Sequence, residues 1–315
     1  MLQGQIFSQQ QTSYSWALGL SYLNLSHNSL THIPQLPSQS LAFLDLSSNN
    51  FSGGLLMPPN EISVYLASYN KFTGEISRSM CNLSSLVLLD LSNNYLGGDV
   101  PQCLANLSTF FSILDLHSNS FLGILPSSFP IGCRLTSLNL RDNQLEGRIP
   151  RSLSNCSMLQ VLDLGNNFLD GMFPWWLGTL QNLQVLSLRA NHLYGSLGIP
   201  NSGSFFPALR ILDLSGNKFS GVLSPNLFAQ LNSMKIINHI ITRMLDNGTF
   251  LYYQSSSVLV VTKGMEIDVY HVLSIFTTID LSNNKFHGFI PDVIGNLIAL
   301  QGLNLSHNGL EVRFH

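Results

Sequence analysis

Apolar residues recur along this chain in one frame, L-x-x-L-x-L-x-x-N-x-L-x-G-x-I-P, and a clear copy runs from Leu86 to Pro101. The L-x-L part alternates, which predicts a short β-strand whose leucines point to one side and whose intervening residues point to the other. The frame's asparagine returns every 21 to 26 residues, apart from one gap of 67. Successive copies therefore predict repeated coils, with this asparagine at positions 28, 49, 70, 94, 119, 143, 167, 191, 217, 284 and 308.

The spacing of the frame predicts a stack of coils. One coil cannot bury its apolar positions alone, whereas stacked coils share a continuous Leu/Phe/Ile core. Strands of successive coils should pair in parallel about 4.8 Å apart, so eleven coils span on the order of 50 Å. The asparagine, with two donors and an acceptor, is expected to satisfy buried backbone groups at the turn after the strand. The predicted fold class is therefore an α/β repeat solenoid with a parallel β-sheet on its concave face, interrupted once.

The frame divides the chain into four segments. Residues 1–19 look like the remnant of a preceding repeat, 20–231 hold about nine coils, and 275–315 hold about two, the last incomplete. Residues 232–274 break the leucine frame, and a long segment of this kind in a compact array is usually functional or disordered. Its aromatic and valine content predicts a small folded island with strands. Neither end shows a polar cap, so we expect a piece of a longer protein.

Composition excludes several classes of partner. Only 10% of the residues are charged, the formal net charge is −3, and there is no Lys/Arg run. Nucleic acid and anionic membranes are therefore poor candidate partners. The first residues, MLQGQIFSQQ, lack the basic and apolar segments of a signal peptide. Apolar stretches such as Val258–Val261 are far shorter than the roughly 20 residues of a membrane helix.

Catalytic chemistry has little support in the sequence. The nine histidines are scattered, mostly at variable positions such as His27 and His307, and neither G-x-S-x-G nor HExxH occurs. The glycines recur with the repeat and form no phosphate-binding loop. The four cysteines form no C-x-x-C and have no histidine cluster beside them, so a zinc site is not expected. We therefore expect neither an enzyme nor a cofactor.

Cysteines and sequons suggest covalent modification. Adjacent coils bring Cys81 close to Cys103, and Cys133 close to Cys156, within possible disulfide reach on the convex side, although buried free thiols are an alternative. N-x-S/T sequons suit a glycosylated extracellular surface, although Asn and Ser are abundant in the repeat anyway. The predicted glycosylation sites are Asn24, Asn50, Asn82, Asn106, Asn155, Asn247 and Asn304.

The concave strand face is the favoured binding surface of such a solenoid. Charges are scarce, and arginine is enriched at interface hot spots, so Arg141 and Arg189 are leading candidates for a ligand contact. Ordinary solvated surface is the alternative, and the Asp of L-D-L-S is common to the repeat. The candidate ligand-binding residues, at outward positions of the middle coils, are His117, Asn139, Arg141, Asp142, Asp163, Arg189 and Arg210.

Longer stretches of sequence point to one family. In chain order the sequence contains NLSSLVLLDLSNN and PQCLANLS, then RSLSNCSMLQVLDLGNN and FPWWLGTLQNLQVLSLRAN, then the island with YY and VTKG, then IFTTIDLSNNKFHGFIP. This series resembles plant leucine-rich-repeat receptor-like proteins of the Cf and Verticillium-resistance type, over nearly the whole chain. The resemblance implies a leucine-rich-repeat superhelix on the outer side of the plasma membrane. It also implies one transmembrane helix and a short tail without a kinase domain.

The resemblance also implies partners. Such proteins perceive pathogen-derived or endogenous peptide or protein ligands and signal with a receptor-like kinase as co-receptor. The island and the final coils are where that co-receptor docks. The family's N-terminal cysteine cap, last coils and membrane helix are not found in this sequence, so we expect membrane attachment only through a missing C-terminal helix. The candidate island contacts are Tyr252, Tyr253, Lys263 and Gly264; the alternative is that the tyrosines only attach the island to the solenoid.

Three functions follow as alternatives. The first is the ligand-binding ectodomain fragment of a plant cell-surface receptor-like protein, active in defence or development. The second is a soluble inhibitor of a foreign enzyme, as plant polygalacturonase inhibitors are, although those proteins are shorter and have no interruption. The third is a truncated gene product without function. The sequence does not identify the ligand.

Overall fold

The computed structural model of the chain describes residues 19–33, 36, 39–107, 110–236, 258–262, 265–269 and 276–312. Successive coils stack side by side, and most coils place one short strand in each of two parallel sheets. In chain order the strands are β1 (Tyr22–Asn24), β2 (Phe43–Asp45), β3 (Ser52–Gly54), β4 (Val64–Leu66), β5 (Lys71–Glu75), β6 (Leu88–Asp90), β7 (Tyr95–Asp99), β8 (Ile113–Asp115), β9 (Ser120–Ile124), β10 (Ser137–Asn139), β11 (Gln144–Arg148), β12 (Val161–Asp163), β13 (Phe168–Met172), β14 (Val185–Ser187), β15 (His192–Gly195), β16 (Ile211–Asp213), β17 (Lys218–Val222), β18 (Val258–Thr262), β19 (Met265–Val269), β20 (Thr278–Asp280), β21 (Lys285–Phe289), β22 (Gly302–Asn304) and β23 (Gly309–Glu311).

The first sheet is built from the L-x-L segments of the frame. Its eleven strands follow the order β1-β2-β4-β6-β8-β10-β12-β14-β16-β20-β22. Leu138 of β10 lies beside Leu162 of β12 in parallel register, and both side chains are buried. The sheet continues across the interruption of the repeat, because Leu212 of β16 lies directly beside Ile279 of β20. The predicted repeat solenoid with a parallel sheet is therefore confirmed.

The second sheet was not predicted. Its ten strands follow the order β23-β21-β17-β15-β13-β11-β9-β7-β5-β3, and they come from the x-L-x-G-x segment that follows the asparagine of the frame. In β11, Leu145 is buried between exposed Gln144 and Glu146. The glycine is needed where coils approach closely: Gly98 has φ 71°, and a Cβ there would lie 2.5 Å from Glu75 Cγ.

Short helical turns lead from the second sheet back to the first. Pro101 and Pro150 immediately precede two of them, with φ of −57° and −72°, which is the angle that the proline ring imposes. Proline therefore ends the second-sheet segment and starts the return. The 3₁₀ turns are Arg78–Asn82, Gln102–Asn106, Arg151–Asn155, Trp175–Thr179, Asn232–Met234 and Asp292–Asn296, and the helix is α1 (Pro225–Gln230).

Two disulfides lie on this returning side. Cys81 is bonded to Cys103 and Cys133 to Cys156, with Cα–Cα distances of 5.7 and 4.5 Å. Each joins adjacent coils and closes a loop of 22 or 23 residues, which is worth roughly 3 kcal/mol through restriction of the unfolded chain. The second pair is buried, whereas Cys81 and Cys103 are partly exposed.

Residues of the interruption are described only in part. Strands β18 and β19 form an antiparallel pair with Val260 beside Ile267. The island candidates and one sequon lie outside the described residues, namely Tyr252, Tyr253, Lys263, Gly264 and Asn247. Of the helices that the structure describes, none has the length and apolar character needed to cross a membrane.

Candidate functional site

The repeated asparagines hold the coils together. Asn143 Nδ2 donates to the backbone oxygens of Leu116, Leu140 and Arg141 at 3.0–3.1 Å, and its Oδ1 accepts the Phe121 N–H at 3.0 Å. The amide therefore ties its own turn to the preceding coil, and its hydrogen-bonding capacity is used internally. The same set of bonds recurs at Asn70, Asn94, Asn119, Asn167, Asn191, Asn217 and Asn284.

Most strands of the first sheet end in Asp or Asn. At the end of β6, Asp90 Oδ1 accepts the backbone N–H of Ser92 at 3.0 Å and its hydroxyl at 2.7 Å. The strand-end acceptor thus uses donors that stand two residues later in the same coil. The same pairing recurs at Asn24 with Ser26, Asp45 with Ser47, Asp213 with Ser215, Asp280 with Ser282 and Asn304 with Ser306.

Four consecutive middle coils depart from this pairing. Where the other coils have serine, they have His117, Arg141, Gly165 and Arg189. These coils carry the side chains that differ most from the repeat, and they lie side by side in the first sheet. We call them the central patch, defined as Asp115, His117, Asn139, Arg141, Asp142, Asp163, Ser187 and Arg189.

His117 is bound to the strand-end carboxylate of its own coil. Its Nδ1 lies 2.6 Å from Asp115 Oδ1, and its Nε2 lies 3.0 Å from Asn93 Nδ2 of the preceding coil. Burial alone would lower the pKa of His117, but the hydrogen bond and charge of Asp115, helped by Asp90, outweigh it, so the pKa is raised. His117 therefore holds a proton more tightly than a free histidine does, although the charge of Arg141 opposes this shift.

Arg141 and Asp163 are more enclosed than expected. Arg141 Nε donates to Asp142 Oδ2 at 2.7 Å. Burial raises the pKa of Asp163, although the Gly165 N–H and the charge of Arg141 oppose this shift. The expectation that all candidate residues face solvent was wrong for Asn139, Arg141 and Asp163, which are 6, 8 and 1% exposed. Strands about 4.8 Å apart bring the side chains of adjacent coils into contact, so that they cover one another on this face.

Arg189 is the group whose polar atoms are least satisfied. Its Nε and Nη1 are buried and have no hydrogen-bond partner in the part of the chain that the structure describes. Buried unpaired donors cost about 1–3 kcal/mol each, and more when they are charged. The neighbouring Ser187 Oγ lies close enough to Asp163 to favour its charged form, but it reaches no hydrogen-bonding geometry. Such a cluster favours a ligand that brings its own acceptor.

The remaining concave-face candidate, Arg210, lies outside the central patch. Arg210 immediately precedes β16, whereas Arg189 follows the end of β14. The two arginines therefore stand at opposite ends of their strands, about 16 Å apart along the strand direction. Sequence analysis did not single out Ser187, Gly165, Asn93 or Asp115. Ser187 and Gly165 could have been found in the sequence as departures from L-D-L-S. Asn93 and Asp115 could have been found only as residues that contact such a departure, His117.

The sequons occupy several surfaces. Asn24 and Asn304 end strands of the first sheet near its two edges, and Asn304 Nδ2 donates to Asp280 Oδ2 at 2.9 Å. Asn155 is half-buried, and its Nδ2 donates to the Phe129 oxygen at 2.9 Å. Glycans at the first two positions would flank the central patch without covering it. Asn50, Asn82 and Asn106 are exposed and lie away from the first sheet.

Two surface hollows lie away from the central patch. One of about 760 Å³ is lined by Glu75, Arg78, Asp99 and the first disulfide. Another, of about 640 Å³, lies on the second sheet beside Lys218. Both are open to solvent, and within the described residues no group of His, Cys, Asp and Glu is arranged to hold a metal ion. The first sheet therefore carries the better candidate site on chemical grounds.

Two strand-end carboxylates give the fold an expected pH dependence. Burial raises the pKa of Asp213 to about 6, against the hydrogen bonds from Ser215, and burial with the charge of Asp115 raises that of Asp90 to about 6. The folded chain holds these protons more tightly than the unfolded chain, so the stabilisation is present below about pH 4 and lost as pH rises through 6. We expect urea unfolding midpoints to fall over this range.

The matched variant is Asp213→Asn. Asn304 shows that an amide at this position keeps the two serine bonds, at 3.2 and 2.8 Å. The variant should therefore be more stable at pH 7, by about 1–3 kcal/mol, with a flatter pH profile. Asp170→Asn, on the exposed face of the second sheet, is the control and should leave the profile unchanged. A lower stability of Asp213→Asn at pH 7 would contradict this account.

Comparison with known proteins identifies the repeat. Two family profiles match: one described as "Leucine rich repeat" over residues 133–193, and one described as "Leucine Rich Repeat" over residues 19–39, 85–107, 111–130, 208–231 and 276–297. Among solved structures, a TDR receptor superposes with TM-score 0.69 at 25% identity, over 93% of this chain and 48% of that one. The ectodomain of the Arabidopsis receptor kinase HAESA, in complex with the peptide hormone IDA and the co-receptor SERK1, gives 0.59 at 26% identity, over 93% and 50%.

Full-length relatives are named receptor-like proteins. Receptor-like protein 7 of Arabidopsis thaliana is 49% identical over 296 residues, which is 90% of this chain and 30% of the relative. Receptor-like protein 6 of the same plant is 50% identical over 263 residues, 83% of this chain and 26% of the relative. The chain thus spans less than a third of the length of these relatives. It belongs to the plant leucine-rich-repeat receptor-like proteins, as its sequence motifs predict.

Proposed function

We propose that this chain is a ligand-binding part of a plant cell-surface receptor, and that it recognises a peptide or protein signal on the first sheet. The observation that carries the proposal is the central patch, where Arg189 has buried donors without partners. Two comparisons support it: the relatives are receptor-like proteins, and HAESA, of similar fold, is a receptor kinase with a bound peptide hormone. The family is not an enzyme family.

The dimensions of the patch suit an extended peptide. Its four coils cover about 15 Å at 4.8 Å a step, which is the length of four or five extended residues. The scaffold below is fixed by the asparagine bonds, so its side chains need little reordering when a ligand binds. Binding to such a surface loses less conformational entropy than binding to a loop of similar composition.

The partner and location follow from the same proposal. A receptor kinase would act as co-receptor, as SERK1 does for HAESA, with Tyr252, Tyr253, Lys263 and Gly264 as its candidate contacts on the island. The chain would lie on the extracellular side of the plasma membrane and carry glycans on its sequons. Defence or development is the process in which such a receptor acts.

Binding experiments test the proposal. The full chain, secreted from insect cells, is immobilised and exposed to fractionated peptides from microbial culture and plant extracellular fluid. We expect a peptide that binds the wild type and Arg148→Ala equally but binds Arg141→Ala or Arg189→Ala at least about tenfold more weakly. Arg148 lies exposed on the second sheet and is the matched control.

Two results would overturn the proposal. Peptide binding that is indifferent to both first-sheet arginines would move the site off this surface. Inhibition of a polygalacturonase, without any bound peptide, would favour the enzyme inhibitor instead. Equal melting temperatures of the three variants are required, so that weaker binding is not a loss of folding.

A further inference from the structure

We propose that Arg189 and Ser187 form a carboxylate subsite, in which one carboxylate of the ligand takes the place that a strand-end Asp takes in neighbouring coils. The inference rests on the proposed function and specifies the chemistry of its ligand. It begins from the one middle coil in which the acceptor at the strand end is missing.

The strand ends of three adjacent coils show the gap. Asp163, Ser187 and Asp213 lie side by side in parallel register at the ends of β12, β14 and β16. The two aspartates accept local donors: Asp163 takes the Gly165 N–H at 2.9 Å, and Asp213 takes the Ser215 N–H at 3.0 Å. Ser187 carries a hydroxyl where aspartate carries a carboxylate, so the row of carboxylates is interrupted at this coil.

The donors that would use this acceptor are still present. In the neighbouring coils, the N–H two residues after the strand end donates to it, whereas the N–H of Arg189 donates to no atom of the described chain. The Nε and Nη1 of Arg189 and the Oγ of Ser187 are buried without partners. These donors together match the set that a strand-end carboxylate accepts in the neighbouring coils.

The preceding coil makes room for the arginine. A Cβ on Gly165 would lie 2.8 Å from Arg189 Cγ and 3.2 Å from Ser187 Oγ, so a serine at position 165, as in most coils, would collide with the stem of Arg189. Leu66 also interrupts the row of acceptors, but a leucine side chain fills that strand end. Within the central patch, the Ser187 coil is therefore the one that lacks a strand-end carboxylate or amide and has an arginine lying against the preceding coil.

The surroundings disfavour a dianion more than a single negative charge. Asp163 and Asp213 flank the strand end and repel an anion there, and a dianion such as phosphate would be repelled more strongly than a carboxylate. Arg141 offsets the charge of Asp163, and Arg189 itself lies close enough to Asp213 to favour its charged form. A carboxylate also has the planar shape of the group it replaces. Three sources supply this chemistry: an Asp or Glu side chain, a peptide C-terminus, and a uronic acid.

Small carboxylates test the subsite directly. The full chain is labelled with ¹⁵N-arginine, and the Arg189 Nε–H signal is assigned by its loss in Arg189→Lys. Three probes are titrated, N-acetyl-aspartic acid amide, N-acetyl-glycine and galacturonic acid, with N-acetyl-asparagine amide as the neutral control. We expect at least one carboxylate to give a saturable shift of the Arg189 signal, with none from the control and none at Arg148. The probe that binds most tightly identifies the source.

A substitution at the strand end can place the carboxylate on the protein itself. Ser187→Asp should raise the melting temperature and abolish the shift with every probe, because its own carboxylate takes the donors. Ser187→Asn is the matched neutral variant and should weaken the probes less. The inference is overturned if no carboxylate shifts Arg189 saturably, or if Ser187→Asp leaves probe binding unchanged. The probes need no natural ligand, so the two proposals are tested by different results. If carboxylates bind but no peptide ligand is found, the receptor proposal is contradicted and the subsite stands.

Discussion

Replacing Asn143 by alanine is expected to lower the free energy of unfolding by about 3–5 kcal/mol. The substitution removes the donors to Leu116 O, Leu140 O and Arg141 O, and the acceptor of the Phe121 N–H. Asn143 is 7% exposed, so water reaches these groups poorly, and each unsatisfied buried group costs about 1–3 kcal/mol. Urea unfolding followed by circular dichroism measures the loss.

The same substitution in the edge coil is the control. Asn28 occupies the same frame position, and its Nδ2 donates to Leu25 O and Ser26 O at 3.0 and 2.9 Å, but it is exposed. Water can replace the lost bonds there, so Asn28→Ala should cost less than about 1 kcal/mol. Similar losses at both positions would show that the bonds to neighbouring coils contribute little.

The first sheet could be predicted from sequence because its signal is local and repeated. Leu138 and Leu140 alternate with polar residues in one coil, and the same alternation returns in the next at Leu162 and Leu164. The second sheet was missed because most coils contribute only one buried side chain to it, such as Leu145 in β11. Its strands are visible only when coils are stacked, since the partner of each lies in another coil.

The site could be predicted by residue type but not by partner. Arg141 and Arg189 occupy the same repeat position, so the sequence treats them alike. In the structure Arg141 is bound to Asp142, whereas the guanidinium of Arg189 has buried donors without partners. The difference depends on Gly165, 24 residues earlier, which leaves the space that Arg189 crosses. Comparison of coils position by position gives part of this signal, and three-dimensional contacts give the rest.

Replacing Phe219 by alanine is expected to cost about 3–5 kcal/mol, because a fully buried ring is removed from a packed core. Its ring stacks on Phe286 with centroids 6.4 Å apart and meets Phe173 edge to face at 6.2 Å. Its N–H also donates to Asn284 Oδ1 at 3.0 Å. Phe219 therefore joins the coil before the interruption to the coil after it, across 65 residues of sequence.

The effect should be concentrated at this junction. Hydrogen exchange in Phe219→Ala should show the largest loss of protection in β20 and β21, because these strands pair with the coil that contains residue 219. Phe168→Ala is the matched control: this phenylalanine also lies in the second sheet but is 51% exposed, so its loss should cost about 1 kcal/mol or less. If Phe219→Ala unfolds at the wild-type urea concentration, the coils on either side of the interruption are not held together by this contact. In that case the strand pairs β16–β20 and β17–β21 would hold the junction instead.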